Sequence, residues 1–359
     1  MTLLKSKALI LLDGFLNAEY KHKRAIIDLY DDIGDIFENP SIATCYLDKY
    51  KCGITSNALV SAIKNNFADE LIDNYKSLGI KVITEFDGEY PSRLKDLPFN
   101  PICLYALGNV SLLNAKNTFS VVGSRKTLIE YLKLTEDIVS SLSKSNVTIV
   151  TGVAGGGDTT VIKSAVEFKN VICVLACGFN FIKGEVNYDL INKVIQNGLL
   201  ISEYPPDIPP QSYRYPIRNR IIAGLGDGTL IISGNYKSGT RHTANYALDY
   251  GKDLFCFPYQ PNVDSGALCN GLIKDGAILT TCVQDIAEVL HFENSKNNAV
   301  SLSDVEKSVY AVIKNGISKI DDIVEELSIK IFVLMPILSS LDIKGVIVKS
   351  GTNEYLPLK

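Results

Sequence analysis

Apolar and polar positions divide the chain into three stretches of different periodicity. Residues 1 to about 75 carry apolar side chains at helical spacing, without a strong strand pattern. From Gly79 onward, short runs rich in β-branched residues alternate with helix-sized segments. A polar run at 294–298 precedes a final stretch of about 60 residues. The pattern predicts a small helical domain, a larger α/β domain, a polar linker and a C-terminal module.

The predicted strands of the middle stretch are continuous apolar runs, which is typical of strands covered on both faces. They lie at residues 80–84, 119–122, 147–150, 171–175, 199–202, 230–233, 254–257 and 277–280. Helix-sized segments follow several of them, at residues 128–144, 159–168, 188–197 and 242–250. This alternation predicts an α/β fold with a doubly wound, Rossmann-like parallel sheet.

The C-terminal module has the pattern of a winged helix. Three predicted helices precede two short strands at 346–349 and 354–357, which flank a turn at 350–353. The third helix, at about 331–341, contains no Arg or Lys, whereas a DNA-reading helix carries base and phosphate contacts. We therefore expect this module to pack against its own chain or against a protein partner.

The overall charge argues against binding of nucleic acid or membranes through bulk positive charge. Asp and Glu number 40 against 36 Lys and Arg, so the formal net charge is −4. Only seven of the basic residues are Arg, and five of these lie between residues 125 and 241. Because the planar guanidinium group matches phosphate better than an ammonium group does, this clustering, unless it is chance, indicates a local anion-binding surface.

The cysteine, histidine and hydropathy patterns exclude several classes of protein. The eight Cys form no C-x-x-C pair and the three His are scattered, so we expect buried thiols in a reducing compartment and no metal site. No uncharged apolar stretch reaches the roughly 18 residues of a membrane span, and the N-terminus lacks a signal-peptide pattern. We expect a cytoplasmic protein with no membrane partner.

The loops after the predicted strands carry the candidate chemistry, because ligands bind open parallel sheets beyond the carboxyl ends of the strands. Gly123, Ser124 and Arg125 follow the strand at 119–122 and precede a predicted helix. Amide groups at a helix start together with an Arg side chain can bind phosphate. An ordinary strand-to-helix turn with a solvated Arg explains these residues equally well.

The loop after the next strand is rich in glycine. Residues 151–158 read TGVAGGGD, and such glycines let the backbone approach a ligand and leave amide groups free for an anion. The spacing matches neither G-x-G-x-x-G nor a P-loop. We expect the loop to cradle a phosphate and Asp158 to be the N-cap of the following helix.

The segment 201–220 combines Arg with Tyr. No acidic residue occurs from 208 to 226, and three Arg alternate with Tyr213 and Tyr215. Guanidinium groups and stacking rings are typical of surfaces that bind single-stranded nucleic acid. In the alternative interpretation, the Tyr residues lie in the core and the Arg residues cap a helix at 218–224. A fourth loop, 234–241, adds further cations at the same sheet edge.

Together these motifs resemble those of the DNA processing protein A family, also called DprA or Smf. The matching motifs are VGSR (122–125), TGVAGGGD (151–158), ISEYPP (201–206), YPIRNRIIAGL (215–225) and KSGT (237–240), flanked by FDGEYP (86–91) and NGLIKDGA (270–277). The resemblance covers residues 80–290 strongly and the terminal regions weakly.

The resemblance implies an extended Rossmann domain at 79–293, between a helical, sterile-alpha-motif-like domain at 1–78 and a winged helix at 299–359. It implies a homodimeric protein, without enzymatic activity or cofactor, that binds single-stranded DNA without sequence preference and loads RecA recombinase onto it in natural transformation. The residues that would form or shape the DNA groove are Ser124, Arg125, Gly152, Gly156, Asp158, Arg218, Asn219, Arg220, Lys237, Ser238 and Gly239.

The chain departs from the family pattern along one wall of the predicted groove. Family members usually have Arg or Leu at position 155, Ile at 157, His at 162, an acidic residue at 233 and Gly at 259. The residues in this chain are Gly155, Gly157, Ile162, Ser233 and Tyr259.

Two other functions stay open. Related Rossmann enzymes hydrolyse nucleoside monophosphates with a glycine- and threonine-rich phosphate loop, for which Gly239–Thr240 and Gly155–Gly157 are candidates. Those enzymes need an acidic residue beside that loop, and residues 233–235 contain none. No Ser–His or Cys–His pair and no carboxylate cluster suggests a nucleophile or general base. The third hypothesis is a scaffold that binds proteins through its terminal domains.

Overall fold

The computed structural model describes residues 2–15, 20–50, 56–184, 188–292, 303–343, 346–351 and 353–358. The chain forms two compact units, Met1–Phe292 and Glu293–Lys359. The predicted linker at 294–298 lies outside the described residues. The division of the first unit into domains at 1–78 and 79–293 stays a prediction.

Nine strands of the described residues form one sheet, and two more form a separate pair. The strands are β1 (Lys81–Thr84), β2 (Cys103–Gly108), β3 (Thr118–Val122), β4 (Thr148–Thr151), β5 (Val171–Leu175), β6 (Leu199–Ser202), β7 (Gly228–Ile231), β8 (Asp253–Cys256), β9 (Ile278–Leu279), β10 (Ile347–Lys349) and β11 (Tyr355–Pro357).

Helices precede, alternate with and follow these strands. They are α1 (Thr2–Phe15), α2 (Tyr20–Asp28), α3 (Ser41–Tyr50), α4 (Ser56–Lys64), α5 (Phe67–Ser77), α6 (Ser92–Lys95), α7 (Ile129–Lys144), α8 (Gly157–Val166), α9 (Tyr188–Asn197), α10 (Arg214–Leu225), α11 (Thr240–Asp249), α12 (Ala267–Lys274), α13 (Val283–Leu290), α14 (Asp304–Lys314), α15 (Ile320–Leu327) and α16 (Ile331–Ile343). Short 3₁₀ helices lie at Ile33–Phe37, Val110–Asn114, Phe179–Gly184 and Asp264–Gly266.

The large sheet has the order β1-β2-β6-β5-β4-β3-β7-β8-β9. The described strands from β6 to β9 in that order are parallel, and β1 and β2 extend the sheet in antiparallel fashion. The chain runs from β3 through β4 and β5 to β6, and then returns to place β7 on the other side of β3. This reversal confirms the predicted doubly wound sheet and creates a switch point between β3 and β7.

The sequence pattern does not predict β2. Its segment is a short apolar run that follows Pro101 and has no helix of ordinary length on either side, so the alternation of strands and helices gives no signal for it. In the structure, Tyr105 lies opposite Val82 of β1 and Ser202 of β6. Long-range pairing therefore determines this strand.

The core of the first unit lies on both faces of the sheet. Every residue of β3 and β5 is buried, which requires helices on each side of these strands. The helices α7, α8 and α9 pack in series, α10 pairs with α11, and both sets contact the strands. The buried Leu9, Leu11 and Leu12 of α1 join the same core, and α1 contacts β1 and β2. The N-terminal helices and the sheet therefore share one apolar interior.

The second unit contains α14, α15, α16 and the antiparallel pair β10–β11, in the predicted order. Ser303 and Glu306 form a capping box that begins α14. Leu334, Leu338 and Leu341 of α16 are fully buried, whereas the first turn of this helix exposes apolar side chains. Within the described parts of both units, no helix is long and apolar enough to cross a bilayer.

Candidate nucleic-acid interface

The loops after β3, β4 and β7 meet at the switch point of the sheet, because these three strands are neighbours in the order β4-β3-β7. The amide of Ser124 in the first loop donates a hydrogen bond to Ser233 Oγ beyond β7 at 3.0 Å. The amide of Gly123 donates to Asp158 Oδ1, beyond β4, at 3.1 Å. The structure thus joins the predicted loops directly at the place where ligands bind doubly wound sheets.

Three glycines of the 151–158 loop are required by close packing. Gly156 has φ +78°, and a methyl group there would lie 2.7 Å from Arg125 Cα. A methyl group on Gly152 would lie 2.5 Å from Asp158 Oδ2 and 3.0 Å from both terminal nitrogens of Arg218. One on Gly157 would lie 2.7 Å from the backbone of the β3 loop. These glycines let the two loops approach each other.

Asp158 holds the loops together rather than capping α8. The prediction that it is the N-cap is wrong, because Gly156 occupies the N-cap position. The Asp158 side chain is 5% exposed, and its carboxylate accepts hydrogen bonds from the amides of Gly123 and Ala154, at 3.1 and 3.3 Å. Burial raises the pKa of this carboxyl to about 6, although Arg218 and the two amides favour the charged form.

A cluster of hydroxyl groups lies between the β3 and β7 loops. Ser233 Oγ is 2.5 Å from Thr127 Oγ1 and donates to Ser124 Oγ at 3.0 Å. Thr127 Oγ1 also donates to the carbonyl of Ser124 at 2.9 Å. These neutral groups lie at the position where the family pattern has an acidic residue, so no carboxylate at 233 repels an incoming anion.

The helix α10 begins at Arg214, four residues before the predicted start. Pro216 falls in its first turn, where proline is tolerated because the missing N–H would have no partner within the helix. The segment of alternating Arg and Tyr is therefore helical rather than extended. Its residues project to different sides, which decides the environment of each Arg.

Arg218 and Arg220 lie in the protein interior. Their exposed fractions are 4% and 5%. Arg218 Nη1 donates to the carbonyl of Val174 on β5, and Arg220 forms two hydrogen bonds to the Glu203 carboxylate, at 3.2 and 2.5 Å. Asn219, between them, is half-buried and donates from Nδ2 to the carbonyl of Gly239 at 3.2 Å. The structure thus places these three residues in the scaffold beneath the loops.

Four cations of the loop cluster are exposed to solvent, namely Arg125, Lys126, Lys237 and Arg241. Neither the Arg125 nor the Lys237 side chain has a hydrogen-bond or ion-pair partner among the described residues. Gly239 is also exposed, and the half-buried Ser238 accepts a hydrogen bond from the Thr240 hydroxyl at 2.9 Å. An exposed guanidinium and an exposed ammonium group beside small hydroxyl-bearing loops can bind phosphate groups.

The departures from the family pattern have structural counterparts. Open space surrounds the Cβ position of Gly155 to at least 4 Å, so the loop has room there for a side chain. Ile162 is fully buried in the core. The Tyr259 ring stacks on that of Tyr131 at 3.7 Å, and its hydroxyl donates to the carbonyl of Ile232 at 2.9 Å. The structure thus accommodates Gly155, Ile162 and Tyr259 while the switch-point loops still meet.

Sequence reasoning missed the functions of Glu203 and Thr127. Glu203 directly follows the fully buried strand β6 and its side chain is 11% exposed, and a carboxylate that is largely removed from solvent requires a cation as its partner. Its position in the sequence therefore indicated that one Arg of the segment 201–220 would form an ion pair with it inside the protein. Thr127 gave no comparable signal. Among the described residues, no group of three His, Cys, Asp or Glu side chains is arranged to hold a metal ion.

Comparisons with known proteins agree with this geometry. A family model described as DNA recombination-mediator protein A matches residues 81–291, more than half of the chain. The chain belongs to this family. The matched region contains the large sheet from β1 to β9 and the loops at its switch point.

Individual members of the family are similar over most of the chain. DNA processing protein DprA of Bacillus subtilis (strain 168) is 28% identical over 260 residues, which cover 71% of this chain and 86% of that protein. The chain spans about half the length of the Smf proteins that it matches.

Two solved structures of the family share the fold. DNA processing protein A from Streptococcus pneumoniae superimposes with a TM-score of 0.65 at 24% identity, over 80% of this chain and 98% of that chain. The protein from Helicobacter pylori, solved to describe its single-stranded DNA binding mode, gives a TM-score of 0.54 at 28% identity, over 59% of this chain and 95% of that chain. These similarities confirm the Rossmann-like fold class.

Proposed function

We propose that this protein binds single-stranded DNA without sequence preference and mediates recombination of incoming DNA. The observation that carries the proposal is the meeting of three loops at the switch point, with Arg125 and Lys237 exposed beside them. Phosphate contacts of this kind carry no sequence information. The H. pylori relative, whose single-stranded DNA binding mode has been described, supports the choice of ligand.

Within this proposal, the predicted site residues have two functions. Five of them line the exposed loops and contact the strand: Ser124, Arg125, Lys237, Ser238 and Gly239. The other six shape the groove from below or by close backbone packing: Gly152, Gly156, Asp158, Arg218, Asn219 and Arg220. Exposed rings of Tyr213 and Tyr236 offer stacking surfaces for unpaired bases.

Salt-titrated fluorescence anisotropy with labelled single-stranded and duplex oligonucleotides tests this function. We expect tighter binding of the single strand and an affinity that falls linearly with the logarithm of salt concentration. Arg125→Ala should weaken binding to all sequences about equally and reduce the salt slope by about 1.

The matched control is Lys144→Ala, which removes an exposed cation at the far end of α7 from the switch point. We expect it to leave binding unchanged. Equal binding by wild type and Arg125→Ala at every salt concentration would show that the site lies elsewhere.

We further propose that a homodimer of this protein loads RecA recombinase onto the bound strand in the cytoplasm. Membership of a family described as a recombination mediator supports this step. On single strands coated with a single-strand-binding protein, the wild type should shorten the lag of RecA filament formation, and Arg125→Ala should not. An unchanged lag with wild type would contradict loading.

The proposal includes no catalytic step. Incubation with nucleoside monophosphates should release no free base at any protein concentration. Release of base that is proportional to protein and lost in Thr240→Ala would instead identify the alternative, a nucleotide-hydrolysing enzyme.

A further inference from the structure

A cavity of about 590 Å³ is lined in part by Tyr213, Arg214 and Ile217 at the start of α10. It is bordered by the end of α1, the start of α2, the start of β2 and the segment between β6 and α10. The β6 strand ends at the same carboxyl edge as the switch-point loops. The cavity is therefore a concave site near the candidate DNA surface, and none of the predicted contact residues except Arg220 lines it.

Aromatic rings and one guanidinium group dominate the side of this cavity formed by α10. The Arg214 guanidinium lies 5.0 Å from the ring centre of Tyr204 and 5.4 Å from that of Tyr213. Tyr213 is 59% exposed. Tyrosine rings and the planar guanidinium group are the surfaces on which proteins stack unpaired bases.

The charges that line the cavity leave Arg214 without a carboxylate partner. Lys23 pairs with Asp13 at 2.8 Å, and Arg220 pairs with Glu203 at 2.5 Å. Arg214 donates to the carbonyl of Pro209 and, among the described residues, forms no ion pair. Its uncompensated charge favours an anion such as a phosphate group.

Phe99, in the segment before β2, also lines the cavity and is an unusual residue for its position. It is 65% exposed, and its backbone has φ +59°, a conformation that bulky residues rarely adopt. Its ring meets that of Tyr20 edge-on at 5.7 Å. A strained backbone that holds a large ring in solvent at a cavity mouth is typical of a binding site rather than of core packing.

The first two turns of α10 connect this cavity with the switch point. Asn219 contacts the Lys237 loop, whereas Arg214 and Ile217 line the cavity. These positions lie within roughly 8 Å along the helix axis, at 1.5 Å per residue. A strand that lies on the switch-point loops is therefore close enough to continue over α10 into the cavity.

We propose that this cavity binds a nucleotide, with the base between the Phe99 and Tyr213 rings and the phosphate on Arg214. The nucleotide comes either from the strand bound at the switch point, in which case this inference rests on the proposed function, or from the free mononucleotide pool. Both sources supply the same chemistry, a planar base joined to an anion.

The first experiment uses the full chain and free dAMP. Saturation-transfer NMR should detect contact with the adenine protons in wild type, and Phe99→Ala should reduce the transfer at least fivefold. Because Phe99 is mostly exposed, this variant opens no core cavity. Phe99→Tyr keeps a ring and should retain the signal. The matched control Tyr50→Ala, which removes an exposed ring outside the cavity, should leave it unchanged.

The second experiment uses single strands that carry one 2-aminopurine. Stacking in the cavity should quench its fluorescence on binding, and Phe99→Ala should restore at least half of the lost intensity while Phe99→Tyr does not. If Phe99→Ala changes only the dAMP signal, the occupant of the cavity is a free nucleotide. If it changes the 2-aminopurine fluorescence of the bound strand, the occupant is a nucleotide of that strand.

No effect of Phe99→Ala in either experiment overturns the proposal. If Arg125→Ala still weakens strand binding in that case, the proposed function stands and only the cavity assignment fails. If wild type binds no strand at all, the proposed function fails, and the dAMP experiment still decides whether the cavity binds a nucleotide.

Discussion

Two sets of basic residues, similar in sequence, lie in opposite environments in this protein. Arg125 and Lys237 extend from loops at the switch point into solvent. Arg218 and Arg220, on α10, are almost fully buried and hydrogen-bonded to Val174 and Glu203. A guanidinium group in the interior needs partners for its charge and its N–H groups, so the second set stabilises the scaffold. The number of cations in a motif therefore does not tell how many contact the ligand.

The largest expected effect tests whether the buried Arg residues of α10 stabilise the fold. Arg220→Ala leaves the Glu203 carboxylate, whose side chain is only 11% exposed, without its partner, so we expect the free energy of unfolding to fall by about 3–5 kcal/mol. Urea denaturation followed by circular dichroism measures this. The exposed Arg241→Ala should change it by at most about 0.5 kcal/mol. A similar small loss in both variants would remove the distinction between the two sets.

The buried carboxyl beside Arg218 gives a test by pH. Burial raises the pKa of Asp158 from 3.8 to about 6, so between these values the folded state holds a proton that the unfolded state has lost. The resulting stabilisation is complete below about pH 4 and is lost as the pH rises through 6, by about 3 kcal/mol in total. Wild type should therefore lose stability relative to Asp158→Asn over this window. A pH-independent difference between their unfolding free energies would contradict the burial of this charge.

Gly152 and Gly155 belong to the same loop, but only Gly152 is closely packed against other residues. Gly152→Ala would place a methyl group 2.5 Å from Asp158 Oδ2, so we expect a loss of about 1–3 kcal/mol in unfolding free energy. Gly155→Ala meets open space and should change stability by at most about 0.5 kcal/mol. Thermal denaturation of the two variants compares them directly. Equal melting temperatures would show that the loop relaxes around the added methyl group.

The smallest expected effect tests whether exposed cations at the switch point bind the strand. Gly155→Arg adds a cation in open space beside Arg125, at a position where the family usually has Arg or Leu. We expect affinity for single strands to rise a few-fold at low salt and the salt slope to steepen by about 1. Anisotropy at several salt concentrations measures both quantities. Gly155→Leu is the control for bulk without charge, and an equal gain in that variant would exclude an electrostatic cause.

Local pattern was sufficient to predict most strands of the first unit and to nominate the sheet edge that carries the candidate site. Short runs rich in β-branched residues predicted β1 and the parallel strands. The strands from β3 to β7 follow the pattern most closely, because every one of their residues is buried between the two helical layers. Glycines and cations after β3, β4 and β7 predicted a ligand-binding edge, because carboxyl ends of parallel strands share one edge. The apolar third helix of the second unit was also evident from the sequence, and its first turn is exposed.

The remaining features depend on residues that are distant in the chain. The strand β2 exists through its pairing with β1 and β6, and its own segment carries no pattern that separates it from other buried runs. The N-cap of α8 is Gly156 rather than the predicted Asp158, whose carboxylate instead accepts a hydrogen bond from the amide of Gly123 in another loop. Such contacts leave no periodic signal in the sequence.

By itself, the sequence determined the order of the strands other than β2, the doubly wound class and the sheet edge that carries the candidate chemistry, because hydrophobic periodicity and turn residues act locally. Only the tertiary structure decided which cations face solvent, which glycines admit a side chain and that a cavity lies beside α10. Burial, close packing and ion pairing depend on the partners that folding brings near each residue. Identical residue types in one motif therefore acquire different functions.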